Sequence, residues 1–110
     1  VYAFDYDERC YENTLENCEL NGISSIITEC GGLELLKNKS FDLLLANINR
    51  NILTQNMNML ANSLCSEGVL VMSGFFEKDI PLVTKHALLH KLKFVSFNTK
   101  KNWTITVFSK

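Results

Sequence analysis

The chain has 110 residues, 46% of them hydrophobic and 21% charged, with a formal net charge of −1. That balance excludes a disordered chain and a strongly basic, non-specific nucleic-acid binder, and it suits one domain with a real core. No apolar run approaches the ~18 residues of a transmembrane helix and no secretory signal opens the chain, so the expectation is a cytoplasmic protein without membrane contact.

Val1 to Phe4 is a short apolar run ending in Asp5. Asp7 stands where a helix N-cap belongs, with Glu8 in the first turn, and Tyr11, Leu15 and Cys18 then mark one helical face. Asn21-Gly22 stops that helix. Ile23 to Thr28 reads as a β-branched strand, Cys30-Gly31-Gly32 breaks the chain, and Leu33 to Leu36 forms a helical turn. Phe41 to Ala46 is a nearly continuous apolar run of the kind buried on both faces of a parallel sheet. Leu53, Met57, Leu60 and Leu64 place an amphipathic helix over 50–64, ended by Ser66-Glu67-Gly68. Val69 to Phe75 is another buried strand, and Asp79 caps a helix with Pro81 in its first turn that runs to about Lys91. Leu92–Phe97 and Trp103–Phe108 are strands joined by the polar link Asn98–Asn102, and so close a pair must be antiparallel.

The order β-α-β-α-β-α-β-α-β-β demands an α/β fold, mostly parallel, with right-handed crossovers and a C-terminal antiparallel hairpin. Charge is uneven along it. Residues 1–34 hold eight acids against Arg9 alone, and after Asp79 every charged residue is a lysine. This is either a solvated acidic helix face in front of a basic surface or an acidic rim that attracts a cationic partner. The four cysteines, Cys10, Cys18, Cys30 and Cys65, have no C-x-x-C spacing and no histidine near them, so they read as reduced, half-buried thiols and no metal site is expected.

In open α/β sheets, ligands bind beyond the carboxyl ends of the strands. Those ends carry Asp5-Tyr6-Asp7, Glu29-Cys30-Gly31-Gly32, Asn47-Ile48-Asn49 and Ser73-Gly74-Phe75. Asp5 either accepts two hydrogen bonds from ribose hydroxyls or caps a turn. Tyr6 either lies against an adenine ring or packs ordinarily. Asn47 is either a turn residue or an acceptor that holds the N–H groups of an amine. His86 and His90, four apart on one helix, have no acid at metal spacing, and no G-x-G-x-x-G or Ser-His-Asp set is present.

Ala3-Phe4-Asp5-Tyr6-Asp7, Glu16-Asn17-Cys18, Asn21-Gly22, Phe41 to Ile48 and Gly68 to Gly74 occur in an order and spacing that resemble the ribosomal protein L11 methyltransferase family, class I enzymes dependent on S-adenosylmethionine. Ala46-Asn47-Ile48 is the most specific element, and Trp103 resembles a residue of the family's closing strand. The family has a branched aliphatic residue where Tyr6 stands and often proline at Glu8.

The resemblance implies a Rossmann-like class I methyltransferase sheet lacking its first strand and glycine-rich cofactor loop. Residues 1–110 would then be the C-terminal portion of a methyltransferase catalytic domain, inactive alone. It further implies that Asp5 binds the cofactor ribose, that Tyr6 lies near the adenine with Cys30 at its polar edge, and that Asn47 orients the substrate nitrogen beside the cofactor. The implied substrate is an amino group, of lysine or the N-terminus, on the large-subunit ribosomal protein L11. No direct nucleic-acid partner is expected, and unpaired strand edges would allow self-association. Two other readings stand beside it. One is a different class I N-methyltransferase, although those acting on glutamine or nucleic-acid amines usually carry Asn-Pro-Pro-Tyr where this chain has Asn47-Ile48-Asn49-Arg50. The other is a non-catalytic α/β module such as a phospho-receiver.

Overall fold

The computed structural model describes residues 1–110, which divide into two compact units, Val1–Leu35 and Leu36–Lys110. In the first unit, β1 (Tyr2–Asp5) leads through α1 (Glu8–Leu20) to β2 (Ile27–Cys30), and the strands pair in parallel from Tyr2–Ile27 to Asp5–Cys30. Asp7 caps α1 as expected, its carboxylate accepting from the Arg9 N–H at 2.8 Å. Gly22 closes the helix at φ +64°, and the Ile23 N–H returns to the Cys18 carbonyl at 2.8 Å.

The second strand begins four residues later than the β-branched run from Ile23 suggests. Ile23 is taken up by the helix cap, and pairing with β1 starts where the Ile27 N–H donates to the Val1 carbonyl at 2.9 Å. Register against a partner, rather than β propensity, sets this boundary. No side chain of Val1–Leu35 is fully buried, so the face of Tyr11, Leu15 and Cys18 is only partly covered within its unit.

The second unit holds the core. β3 (Phe41–Asn47) pairs in parallel with β4 (Leu64–Phe76), which pairs antiparallel with β6 (Trp103–Ser109), which in turn pairs antiparallel with the edge strand β5 (Lys93–Lys100). The hairpin tip is shorter than the expected link: both strands extend into it, leaving Lys101 and Asn102, both at positive φ, as a two-residue turn.

The expected helix over 50–64 is two helices, α2 (Arg50–Gln55) and α3 (Met57–Asn62). The break falls at Asn56, where the side-chain amide donates to the Ile52 carbonyl at 2.9 Å and the backbone N–H donates to the same oxygen. A side chain that competes for helix carbonyls in this way ends a helix. The periodicity still picks out the core correctly, because Leu53, Met57, Leu60 and Leu64 are all buried. Leu64, though, already lies in β4, so Ser66-Glu67-Gly68 sits inside a strand, with Glu67 at φ +65° where the ladder skips from Phe41–Leu64 to Leu43–Val69. The Lys110 ammonium donates to the carbonyls of Ala61, in the last turn of α3, and Leu64, the first residue of β4, at 2.9 and 2.7 Å.

The buried helical residues Leu53, Met57, Leu60, Val83 and Ala87 share the core with Leu70, Met72 and Phe108 of the sheet. Each of these larger side chains, Ala87 apart, contributes roughly 1.5–3 kcal/mol on burial. β3 is not covered on both faces: Leu43 and Leu45 are 54% and 73% exposed.

Asp79 enters the last helix, α4 (Ile80–Leu89, with Pro81 in its first turn), differently from expectation. Its carboxylate does not cap α4. It accepts from the Phe76 N–H at 3.2 Å across a 3₁₀ turn at Glu77–Asp79 and pairs with the Arg50 guanidinium at 2.6 Å. Burial pushes this carboxyl up, but the Phe76 N–H and the Arg50 charge outweigh it and hold it below its ordinary value of 3.8. A depressed value in the folded state means that the stabilisation is present above the unfolded value and is lost as pH falls through the folded one. Asp79→Ala, which leaves the Phe76 N–H and the Arg50 charge without their acceptor, is expected to lower stability by roughly 1–3 kcal/mol at pH 7. In urea titrations the difference from the unsubstituted chain should shrink as the pH is taken below 3.8.

Candidate functional site

Each unit presents polar residues at the carboxyl ends of its parallel strands. In Val1–Leu35, Asp5 is the last residue of β1. One carboxylate oxygen accepts from the Asp7 N–H at 2.9 Å, an Asx turn that fixes the side chain, and its carbonyl accepts from the Gly31 N–H at 2.9 Å. The turn reading of Asp5 is thus met, and the Cys10 thiol bonds to the same carboxylate. Tyr6 follows with 75% of its surface exposed, and its carbonyl receives the Cys30 thiol at 4.0 Å. Asp5, Tyr6 and Cys30 are thus brought to one strand end. Cys30 is the final residue of β2, not part of the loop after it.

Two neighbours narrow what this end can do. The Tyr2 hydroxyl donates to the Glu29 carboxylate, and desolvation together with that carboxylate pushes the phenol up to about 12. Glu29 is therefore occupied. Glu34 folds back so that its carboxylate accepts from the Gly32 N–H at 2.8 Å, which holds the carboxyl below its usual range. The Gly31-Gly32 backbone is for this reason not an anion cradle.

Cys10, expected only as a half-buried thiol, stands in the first turn of α1 beside Asp5. Desolvation and the charges of Asp5 and Asp7 push its thiol up, and it bonds to Asp5. Its spacing of three from the Asp7 cap, which places it above the strand end, was the available signal. Cys10 and Cys30 are exposed rather than half-buried, while Cys18 and Cys65 are partly buried; all four are free thiols.

In Leu36–Lys110, Asn47 is the last residue of β3 and is paired in register with Ser73 of β4. The Ser73 hydroxyl donates to the Asn47 side-chain oxygen at 3.1 Å, and the Ile48 N–H donates to the Ser73 carbonyl at 3.2 Å. Asn49 caps α2 through the Ile52 N–H at 3.0 Å, and Arg50 reaches Asp79. Every residue of Asn47-Ile48-Asn49-Arg50 therefore has a defined partner. Gly74 makes this closeness possible: at φ +93°, a Cβ placed on it would stand 2.7 Å from the Ile48 carbonyl oxygen. Asn47 is exposed and keeps a free lone pair, so it can receive an N–H donor. Ser73-Gly74 is visible in the sequence as a strand end, but its tie to Asn47 is not.

Two parallel strand pairs, each joined through helices, the second closed by an antiparallel hairpin, define a Rossmann-like α/β fold of the class I methyltransferase type. Solved structures bear out the fold. A ribosomal protein L11 methylase from Lactobacillus delbrueckii subsp. bulgaricus superposes with a TM-score of 0.92 at 24% identity, over 100% of this chain and 57% of that one. The M. jannaschii protein TYW2, solved in complex with AdoMet, superposes with a TM-score of 0.71 at 18% identity, over 99% of this chain and 56% of that one. The sequence profile of the family described as ribosomal protein L11 methyltransferase (PrmA) matches residues 1–110 throughout, and the chain belongs to that family. A curated ribosomal protein L11 methyltransferase from Bacteroides fragilis is 40% identical over 107 residues, which are 96% of this chain and 38% of the relative. The chain thus spans well under half the length of the curated relatives it matches. No helix is long and apolar enough to cross a membrane.

Replacing Gly74 with alanine forces a Cβ against the Ile48 backbone at a left-handed φ, and is expected to lower stability by about 1–3 kcal/mol, readable as a lower urea midpoint. The equivalent change at Gly22, where a Cβ would meet nothing within 4 Å, retains only the dihedral penalty and should cost less.

Proposed function

We propose that residues 1–110 are the C-terminal portion of a methyltransferase catalytic domain, and that the protein carrying them transfers methyl groups to amino groups, of lysine or the N-terminus, on ribosomal protein L11 in the cytoplasm. The observation that carries this reading is Asn47, held at the end of β3 by Ser73 with one acceptor lone pair open. The family membership and the curated relatives' names supply the substrate.

S-adenosylmethionine, when bound, supplies the methyl group. The residues present fit it: Asp5 offers a carboxylate oxygen, already oriented by the Asp7 N–H, to the two hydroxyls of a ribose. The exposed Tyr6 ring offers a flat face to adenine, and Cys30 lies next to it. The acceptor amine must be neutral to act as a nucleophile. Deprotonating a lysine of pKa ~10.4 costs about 4.6 kcal/mol at pH 7, and desolvation lowers that cost by disfavouring the ammonium form. Asn47 accepts an N–H of the amine and so aims its lone pair. Glu8, Glu12, Glu16 and Glu19, all exposed on α1, present a negative face that draws a basic protein substrate. β1 and β3 are edge strands of their sheets, and an edge strand is where a further strand would add.

The test uses the Bacteroides fragilis relative with its matching segment replaced by this chain, supplied with S-adenosylmethionine and ribosomal protein L11. Methyl transfer is expected. Asn47→Ala should lower kcat by about a hundredfold, as when one group aligned on the reacting centre is removed. Asp5→Ala should weaken S-adenosylhomocysteine binding by about tenfold or more, the worth of hydrogen bonds to a charged group. Absence of both binding and transfer in a folded chimera would sink the reading, and unchanged turnover of Asn47→Ala would remove Asn47 from it.

A further inference from the structure

Ser73 makes its only side-chain hydrogen bond to Asn47. Its place is set by the backbone from two sides. On one side it pairs in register with Asn47, and its carbonyl receives the Ile48 N–H at 3.2 Å, which ends the β3–β4 ladder. On the other it pairs with Ile105 of β6, immediately before the ladder shifts register between Ser73 and Phe75. Gly74 fills that shift at φ +93°, pressed against the Ile48 backbone so closely that no side chain fits. A bulge of this kind re-aims the strand locally and fixes the direction of the neighbouring side chain.

Asn47, by contrast, is an exposed side chain at a strand end. Left alone, its amide would rotate among rotamers, and the ordering cost would fall on each encounter with substrate. The Ser73 hydroxyl donates to its oxygen at 3.1 Å. That bond uses one lone pair of the oxygen and leaves the other open. The amide is thereby held in one orientation before an N–H donor arrives.

We propose that Ser73 is a positioning residue: its hydroxyl, aimed by the Gly74 bulge, holds the Asn47 amide with its oxygen toward the incoming amine. The proposal rests on the reading of Asn47 as the group that receives the substrate nitrogen. It requires a hydroxyl at this position and a hydrogen-bond acceptor at Asn47, and its effect must vanish when the Asn47 side chain is absent.

The experiment is a double-mutant cycle in the chimera described above, with ribosomal protein L11 and S-adenosylmethionine as substrates. Ser73→Ala is expected to lower kcat by about tenfold, the worth of one hydrogen bond, with the KM for S-adenosylmethionine unchanged. Ser73→Thr, which keeps the hydroxyl on a residue that strands favour, should recover most of the loss. In the Asn47→Ala background, Ser73→Ala should cost nothing further. An equal loss in both backgrounds would show that Ser73 acts independently of Asn47 and overturn the proposal, as would an unchanged kcat for Ser73→Ala. If Asn47→Ala itself is silent, the functional reading fails and not the positioning. The hydrogen bond is then judged directly on the 110-residue chain: the side-chain amide resonances of Asn47 should move on Ser73→Ala and return toward their place on Ser73→Thr. If they stay put, no bond positions Asn47 and the proposal falls.

Discussion

The β3–β4 pairing, and above all its last rung, is the constraint on which the larger unit depends. Asn47 and Ser73 face each other there, and the next step of each chain is fixed by contact between Gly74 and the Ile48 backbone. Because Gly74 takes a left-handed φ, β4 turns without leaving the sheet and continues to Phe76, where β6 still pairs with it. The chain leaving β3 is tied with equal completeness. Ile48 donates to Ser73, Asn49 caps α2, and Arg50 reaches across to Asp79, which itself secures the turn after β4. Two successive β-to-α connections are thus cross-linked by one ion pair. A short polar segment tied at each of its residues is ordered without being buried, as the proposed orienting role of Asn47 requires.

The smaller unit solves a different problem. It has no fully buried side chain, so apolar burial supplies little of its order. What holds its strand ends is local and polar: Asp5 to the Asp7 N–H, Tyr2 to Glu29, Glu34 to the Gly32 N–H. A two-stranded sheet with one helix is marginal as an isolated body. Each acid at this end has a partner: Glu29 accepts from Tyr2, Glu34 from the Gly32 N–H, and Asp5 from the Asp7 N–H and the Cys10 thiol.

Most element identities were legible in the sequence because their signals are local. The Asp7 cap, the Gly22 stop and the Leu53, Met57, Leu60 spacing each depend on residues a few positions apart. The boundaries that differ depend on partners far away in sequence. β2 starts at Ile27 because β1 dictates the register, and Ser66-Glu67-Gly68 belongs to a strand because Leu64 already pairs with Phe41. Asn56 breaks a helix that its apolar periodicity carries straight through, since the competing amide bond leaves the pattern of buried residues untouched. At the candidate site, Asp5, Tyr6, Cys30 and Asn47 were visible as residues at strand ends. Ser73 and Cys10 were not given roles, because their meaning lies in what they touch.

The chemistry of Asn47 also explains why an amide stands where a carboxylate would at first seem a stronger acceptor. On the proposed reading the nucleophile is an amine that must be uncharged. A carboxylate at this position would stabilise the ammonium form and raise its pKa, increasing the cost of the reactive state while it improved binding of the unreactive one. A neutral amide accepts an N–H with no such preference for the cation, so it orients the amine without working against its deprotonation. The same logic accounts for the partner of Asn47. A lysine there would add charge, and an apolar residue would leave the amide free to turn; a serine hydroxyl donates one bond, adds no charge and leaves one lone pair open.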